Sequence, residues 1–304
     1  MRQPLAPLPR RTRPLRLRVV APGSPPDPDA VRAGVDRLRP FFEVDAKLEP
    51  STAVGFLAGS DEQRVEQLRA ALDDPAVDGL LVARGGYGAT RLLDRIEPAD
   101  VARAGKLVAG FSDATALHAL WARAGLRSLH APLVTTLGHA PPRTFEAFVE
   151  ALRGAPARFD ALRTLVPGVA QGPLLGGNLT VLFALAPTPF FPPLDGAVVL
   201  LEDVDERPYR VDRMLTALRQ AGVLRRVAGV VLGHFTACEP GPDGTTVEQV
   251  LAERLGDLGV PVAAGLPVGH APDNVAVALG ATAHLEARPE GRASLYVGGL
   301  YEST

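Results

Sequence analysis

The chain has 304 residues, of which 46% are hydrophobic and 22% are charged, and its formal net charge is −2. This length allows one large domain or two of ordinary size, and the balanced charge argues against nucleic acid as a main partner. The only cysteine is Cys238, so neither an intramolecular disulfide nor a cysteine metal cluster can form. No apolar run reaches transmembrane length, and we expect a cytoplasmic protein with no membrane partner.

Residues 1–14 are rich in arginine and proline and are predicted to be a flexible start of the chain. No apolar h-region follows the Arg10-Arg11 pair, which argues against a secretory signal. Apolar strands then alternate with helical patterns over residues 15–140, as expected for a parallel sheet with helices on its faces. In chain order, the predicted elements are a strand at 15–21, helices at 29–38 and 61–72, a strand at 79–83, a helix from residue 89, a strand at 106–110 and a helix at 114–124.

Residues 141–173 carry scattered Pro, Gly and Arg residues and are predicted to be a linker. Residues 174–304 are predicted to form a second, smaller α/β domain. Its elements are a strand at 196–201, a helix at 211–221, a strand at 227–232, a helix at 247–255 and a β layer after residue 259.

The segment from residue 108 to residue 114 presents Ser112 between the end of a strand and the start of a helix. This is the arrangement of a nucleophile turn, which exposes the hydroxyl and directs the next backbone N–H into the same space. The helix N-terminus adds a positive partial charge where an oxyanion would develop. A serine before Asp113 at a helix start is also an ordinary cap, so this segment alone leaves both interpretations open.

A second turn follows a predicted strand at residues 84–88, where three of the last four residues are glycines. Glycines let the backbone approach a ligand closely, and ligands bind at the carboxyl ends of parallel strands. The turn lacks the Lys-Ser/Thr of a phosphate-binding P-loop and the full dinucleotide-binding spacing. A tight turn without a ligand is the alternative interpretation.

Glu202 opens an acidic run directly after a buried strand, where a carboxylate can hydrogen-bond a histidine. Metal binding or simple solvation are the alternatives for this run, although it does not match a calcium-binding loop. His270 lies in a rigid loop between Gly269 and Ala271-Pro272, which suits a general base better than a core position. No pair among the six histidines shows zinc-ligand spacing, and no metal or cofactor site is predicted.

Taken together, these segments resemble motifs of the LD-carboxypeptidases, the serine peptidases that also include the microcin-C self-immunity peptidases. The resemblance runs from about residue 15 to residue 300, with the motifs in the family's order. The segments that carry it are Arg84-Gly85-Gly86-Tyr87-Gly88, Gly110-Phe111-Ser112-Asp113, Gly176-Gly177-Asn178-Leu179, Leu201-Glu202-Asp203-Val204 with Tyr209-Arg210-Val211-Asp212-Arg213, and Gly269-His270. One departure is His130-Ala131-Pro132, where the family often has His-Gly-Pro.

The resemblance implies a flavodoxin-like N-terminal domain that carries the nucleophile and a smaller α/β domain that carries its partners. It further implies a triad of Ser112, Glu202 and His270. In such a triad the histidine accepts the serine proton and the acid orients the histidine. The backbone N–H groups of Gly86 and Asp113 are the candidate oxyanion hole.

Residues near this site are candidates for substrate binding, namely Gly85, Tyr87, Gly177 and Asn178. The implied reaction is removal of terminal D-alanine from cytoplasmic murein tetrapeptides during cell-wall recycling. The expected partner is a small peptide, with a homodimer left open. The alternatives are a microcin-like peptidyl-nucleotide peptidase, a non-catalytic binder of peptidoglycan fragments and an ordinary α/β-hydrolase esterase. A nucleotide pocket would need an aromatic to stack on the base, whereas Trp121 is expected in the core.

Overall fold

Two sheets organise the computed structural model, which describes residues 3–10, 13–48 and 53–301. The strands are β1 (Arg16–Val20), β2 (Glu43–Asp45), β3 (Gly79–Val82), β4 (Leu107–Gly110), β5 (Ser128–His130), β6 (Ala157–Val166), β7 (Gly168–Asn178), β8 (Val198–Val204), β9 (Gly229–Thr236), β10 (Val262–Ala264), β11 (Val277–Leu279), β12 (Thr282–Ala287) and β13 (Arg292–Val297). The helices are α1 (Pro28–Leu38), α2 (Asp61–Asp73), α3 (Pro98–Ala104), α4 (Thr115–Arg123), α5 (Val134–Leu137), α6 (Pro142–Leu152), α7 (Leu179–Leu185), α8 (Pro208–Gln220) and α9 (Val247–Leu255). Short 3₁₀ helices cover Ala89–Arg95 and Ser112–Ala114.

The N-terminal sheet has the strand order β2-β1-β3-β4-β5, and these five strands are parallel. This is the flavodoxin-like order, so the predicted fold of the N-terminal domain is confirmed. Every residue of β3 and β4 is buried, as expected for parallel strands covered by helices on both faces. The carboxyl ends of β1, β3 and β4 lie side by side and lead into the turns at residues 22–24, 85–88 and 111–113.

The second domain is built on a closed barrel with the strand order β10-β6-β13-β12-β7-β8-β9. Strands β7, β8, β9 and β10 run parallel to their neighbours in that part of the barrel, and the remaining pairs are antiparallel. Helices α7, α8 and α9 supply apolar side chains to a core shared with β8 and β9. The described ranges contain no helix with the length and apolar character needed to cross a bilayer.

The structure differs from the predicted linker at residues 141–173. This stretch contains α6, β6 and the first half of β7, and β6 pairs with both β13 and β10 in the barrel wall. Phe159 and Leu162 are the two buried positions of β6, and all of its other residues are at least partly exposed. A strand with so few buried positions gives little alternation of apolar and polar residues, and sequence analysis therefore missed it.

The two ends of the chain also depart from the predicted division into domains. Strand β11 lies in the C-terminal half, yet it pairs antiparallel with β5 at the edge of the N-terminal sheet. Residues 3–10 are not a loose start, because Leu5 and Leu8 are buried. The N–H of Leu5 donates to Gly280 O at 2.8 Å, and the N–H of Leu8 donates to Leu300 O at 3.0 Å. Arg11, part of the predicted flexible start, lies outside the described residues.

Candidate active site

Ser112 lies in a sharp turn at the carboxyl end of β4. Its backbone φ is 64°, a left-handed conformation that a residue with a side chain rarely adopts. Such strain costs on the order of 1–3 kcal/mol and is found at sites where function requires it. A Cβ at Gly110 would lie 2.8 Å from Val82 Cβ, so the strand can only enter this turn with a glycine. The geometry is that of a nucleophile turn.

The structure brings Ser112, His270 and Glu202 together from separate parts of the chain. The hydroxyl of Ser112 donates to Nε2 of His270, with an Oγ–Nε2 distance of 3.0 Å. The other ring nitrogen, Nδ1, donates to Oε2 of Glu202 at 2.8 Å. An ionised carboxylate can only accept, so Glu202 selects the tautomer that leaves Nε2 free to take a proton from serine. The arrangement is suited to activating a serine nucleophile.

Glu202 is fully buried near the carboxyl end of β8, and burial raises the pKa of its carboxyl. The hydrogen bond and the charge of His270 oppose that rise. Close packing fixes the pair, because a Cβ at Gly269 would lie 2.8 Å from Glu202 Oε2. The ring of Phe111 packs on His270 with centroids 4.7 Å apart. The imidazole is therefore held both by its hydrogen bonds and by an aromatic neighbour.

The glycine turn, residues 85–88, lies against the candidate nucleophile. A Cβ at Gly85 would be 3.1 Å from Ser112 Oγ, so this residue forms the backbone wall beside the hydroxyl. Among the described residues, the N–H groups of Gly86 and Asp113 have no hydrogen-bond partner. Both residues line the same cavity as Ser112. Two free backbone donors beside a serine are what an oxyanion hole needs, and their role stays a prediction.

A cavity of about 710 Å³ opens beside Ser112. Its wall is lined by Gly86, Tyr87, Thr90, Arg91, Asp94, Ser112, Asp113, Asn178, Thr180, Val181, Ala184, Leu185, Thr188, Phe190, Asp203, Val204 and Glu206. Two predicted substrate residues, Tyr87 and Asn178, lie in this wall, and the Tyr87 side chain is exposed. Gly177 instead packs behind the wall against Thr115.

The side chain of Asn178 makes hydrogen bonds within the protein through both its amide nitrogen and its amide oxygen. Its Nδ2 donates to Oδ1 of Asp203 at 3.0 Å, and its Oδ1 accepts from the N–H of Val181 at 3.1 Å, which caps α7. Asp203 in turn accepts from the backbone and hydroxyl of Thr180. Asn178 and Asp203 therefore support the cavity wall, and Asp203 occupies one N–H of the Asn178 amide.

Sequence analysis missed several polar side chains in the wall, among them Arg91, Asp94, Thr180 and Glu206. Arg91 and Asp94 belong to the 3₁₀ helix after the glycine turn, where a separation of three residues places both on one face. That spacing was the available signal for the first two. Glu206 belongs to the acidic run that begins at Glu202. The wall thus carries one arginine and several carboxylates.

Comparison with known proteins gives matches along most of the chain. Residues 17–131 match the LD-carboxypeptidase N-terminal domain, and residues 171–285 match the LD-carboxypeptidase C-terminal domain. A putative carboxypeptidase of Synechocystis sp. is 40% identical over 277 residues, which cover 89% of this chain and 91% of the relative. The murein tetrapeptide carboxypeptidase of Pseudomonas aeruginosa is 31% identical over 287 residues, which cover 89% and 93% of the two chains.

Solved structures show the same fold. The crystal structure of muramoyltetrapeptide carboxypeptidase from Oxalobacter formigenes superposes with a TM-score of 0.85 at 31% identity, covering 95% of this chain and all of that one. The wild-type microcin C7 self immunity protein MccF superposes with a TM-score of 0.84 at 20% identity, covering 99% of each chain. The second similarity is one of fold.

Proposed function

Because the chain belongs to the LD-carboxypeptidase family, we propose that it is a serine carboxypeptidase that releases terminal D-alanine from murein tetrapeptides. The bond cleaved joins the L centre of a diamino acid to D-alanine, and the product would enter cell-wall recycling in the cytoplasm. The observation that carries the proposal is the pair of hydrogen bonds, 3.0 and 2.8 Å long, that links Ser112, His270 and Glu202.

The reaction follows from this geometry as two acyl transfers. Ser112 Oγ attacks the peptide carbonyl while His270 Nε2 accepts the hydroxyl proton, and Glu202 stabilises the resulting imidazolium. The N–H groups of Gly86 and Asp113 donate to the oxyanion of the tetrahedral intermediate. The imidazolium then protonates the nitrogen of the departing D-alanine. Water, deprotonated by His270, hydrolyses the acyl-enzyme and restores the serine.

The charged residues of the cavity wall support a peptide substrate that carries both a carboxylate and an amino group. Arg91 is the basic residue of that wall, and its Nε and Nη2 donate to Asp61 Oδ2 at 3.0 and 2.7 Å. Its Nη1 is left to face a terminal carboxylate. Asp94 and Glu206 provide negative charge for an amino group, such as that of a diamino acid side chain. The Asn178 amide donates to Asp203, and the N–H groups of Gly86 and Asp113 are assigned to the oxyanion. Recognition of the carboxylate therefore falls to the part of the Arg91 guanidinium that Asp61 does not occupy.

A peptidyl-nucleotide substrate is the second candidate, because the exposed Tyr87 ring in the wall offers a surface for a base. MccF structures of this fold hold glutamyl sulfamoyl guanosine and aspartyl sulfamoyl adenosine. Two features weigh against this candidate. Trp121 is buried and donates to Lys106 O at 2.7 Å, which removes it from any stacking role. The carboxylates Asp94 and Glu206 would also repel a phosphate.

The experiment is a digest of murein tri-, tetra- and pentapeptides by the purified protein, followed by mass spectrometry. We expect loss of a single D-alanine from the tetrapeptide and no cleavage of the tripeptide. A tetrapeptide with an amidated terminus should react far more slowly, since a neutral amide carries no charge for the Arg91 guanidinium to pair with. Equal rates for the free acid and the amide would contradict the carboxypeptidase assignment. Cleavage of an aminoacyl sulfamoyl adenosine alone would favour the nucleotide candidate.

A further inference from the structure

We propose that Arg64 and Asp113 are positioning residues that hold the glycine turn in the conformation that aims the Gly86 N–H at the substrate carbonyl. Arg64 comes from α2, and Asp113 follows the candidate nucleophile. Their side chains are 1% and 2% exposed, so both charges are buried. The inference rests on the proposed function, because it assigns a purpose to the oxyanion hole of that reaction.

The side chains of Arg64 and Asp113 hydrogen-bond the two ends of one peptide unit. Nη1 of Arg64 donates to Gly88 O at 2.9 Å. The N–H of Ala89, in the same peptide unit, donates to Oδ2 of Asp113 at 2.9 Å. A flip of this peptide would direct its carbonyl at a carboxylate and its N–H at a guanidinium, and both contacts would be repulsive. The pair therefore permits a single orientation of the peptide.

Arg64 also joins this turn to the neighbouring loop after β1. The same Nη1 donates to Pro22 O, two residues before Ser24. The N–H of Ser24 donates to Gly85 O at 3.0 Å, and its hydroxyl accepts from the N–H of Tyr87 at 3.3 Å. Because Gly85 O is held by Ser24, the N–H of Gly86 in the same peptide must point the other way, towards the cavity. Arg64 thus fixes the spacing of the two loops that set this direction.

The contacts made by Arg64 and Asp113, called the clamp below, are needed because the glycine turn has little stiffness of its own. Gly86 and Gly88 adopt φ values of 85° and 140°, and glycine reaches many other conformations at low cost. An oxyanion hole contributes only if its donors are already oriented before the charge develops. Burial raises the pKa of Asp113, and the N–H groups of Ala89 and Gly88 and the charge of Arg64 oppose that rise. The Asp113 carboxylate accepts from a backbone N–H, and Arg64 directs Nη1 at two backbone carbonyls and Nη2 at Asp61 of its own helix.

The test uses full-length Arg64→Met, Arg64→Lys and Asp113→Asn variants, with Arg69→Met as the matched control. Arg69 lies on the same helix and is exposed, with its guanidinium bonded to Arg95 O away from the turn. On murein tetrapeptide we expect kcat to fall about 30- to 100-fold in Arg64→Met and Asp113→Asn, in line with partial loss of an oxyanion donor. KM should change less than about threefold, and Arg69→Met should match the wild type.

Two ligands separate positioning from a general structural role. A tripeptide aldehyde forms a tetrahedral adduct with Ser112 and needs the oxyanion hole, whereas the tripeptide product does not. Affinity for the aldehyde should fall in parallel with kcat, while affinity for the tripeptide stays unchanged. Arg64→Lys retains the charge on one nitrogen with three N–H donors but lacks the planar fork whose second nitrogen bonds Asp61, and we expect it to recover part of the loss. Equal loss of affinity for both ligands would overturn the proposal.

The failure of the clamp can be told apart from the failure of the proposed function. Folded variants with kcat within threefold of the wild type would overturn the clamp and leave the proposed function standing. No turnover of any peptide by the wild type would instead reject the proposed function. In that case the backbone amide resonances of residues 85–89 test the clamp directly, since loss of either charge should broaden or shift them relative to Arg69→Met. Unchanged resonances in both variants would overturn it. If Arg64→Met does not fold, Arg64→Lys and Asp113→Asn carry the same measurements.

Discussion

Replacing Glu202 by glutamine separates the charge of this residue from its shape. In the structure its Oε2 accepts from His270 Nδ1 at 2.8 Å. An imidazolium and a carboxylate at this separation attract each other by about 6 kcal/mol if the effective dielectric constant is about 20. A transition state that loses this attraction is reached about 10⁴-fold more slowly. Replacing the acid of a Ser-His-Asp triad by its amide has an effect of about the same size.

The same substitution should leave the fold at least as stable. Burial is the largest influence on the Glu202 carboxyl and raises its pKa. The folded protein therefore holds this proton more tightly than the unfolded chain, and ionisation above the unfolded pKa costs stability as the pH rises. Glu202→Gln removes that cost. We expect its free energy of unfolding at pH 7.5 to equal or exceed that of the wild type.

The assay is tetrapeptide turnover followed by mass spectrometry, with urea unfolding measured on the same samples. Glu286→Gln is the matched control, because Glu286 lies on β12 and pairs with Arg288 at the surface. Turnover of Glu202→Gln within tenfold of the wild type would refute the reasoning about the charge. A lowered free energy of unfolding would refute the reasoning about burial, even if activity were lost.

Three further predictions concern the same region. Ser112→Ala should abolish turnover in the mass-spectrometric assay while its circular dichroism stays that of the wild type, since the side chain projects from a turn; residual peptidase activity would remove Ser112 from the mechanism. Gly269→Ala should lose both activity and about 2 kcal/mol of unfolding free energy, because its Cβ would meet Glu202 Oε2 at 2.8 Å in a backbone with φ of 123°; an active, stable variant would show that this approach is not required. Burial lowers the pKa of His118 to about 4. Between about pH 6.5 and pH 4 the unfolded chain is therefore protonated at His118 while the folded protein is not. The free energy of unfolding should fall by about 3 kcal/mol as the pH falls through that range. Urea unfolding at several pH values should show that the free energy of unfolding of His118→Asn falls less with decreasing pH than that of the wild type. An equal fall in both proteins would contradict this role of His118.

The sequence predicts those parts of the fold in which neighbouring residues alone determine the pattern. Strands β3, β4 and β8 are continuous buried runs, and the helices at 29–38, 61–72 and 247–255 are seen within one or two residues of their predicted bounds. The segments around Ser112, Glu202 and His270 were identified by motif and resemblance, and the structure brings them within hydrogen-bonding distance. Their catalytic roles stay predictions.

Features that depend on distant contacts were not predictable in this way. Arg64 lies in a helix of mostly polar residues, and nothing in its neighbourhood signals that loops 22–24 and 85–88 enclose its guanidinium. Asn178 is of a residue type that often donates to substrates, yet its Nδ2 donates to the Asp203 carboxylate of β8. Strand β11 is three residues long, too short for any periodicity to reveal its partner in the other domain.

The placement of β11 has a consequence for the chain as it leaves the ribosome. The five parallel strands of the first sheet are synthesised early, but β5 keeps an unpaired edge until β11 emerges, and an open edge invites pairing with other chains. His270 is separated from Ser112 by 158 positions and precedes β11 by only a few. At about 5–20 residues per second, the nascent domain waits roughly 8 to 30 s for both. The strand that seals the sheet and the base that would activate the serine arrive together, so a growing chain carries no complete hydrolytic site.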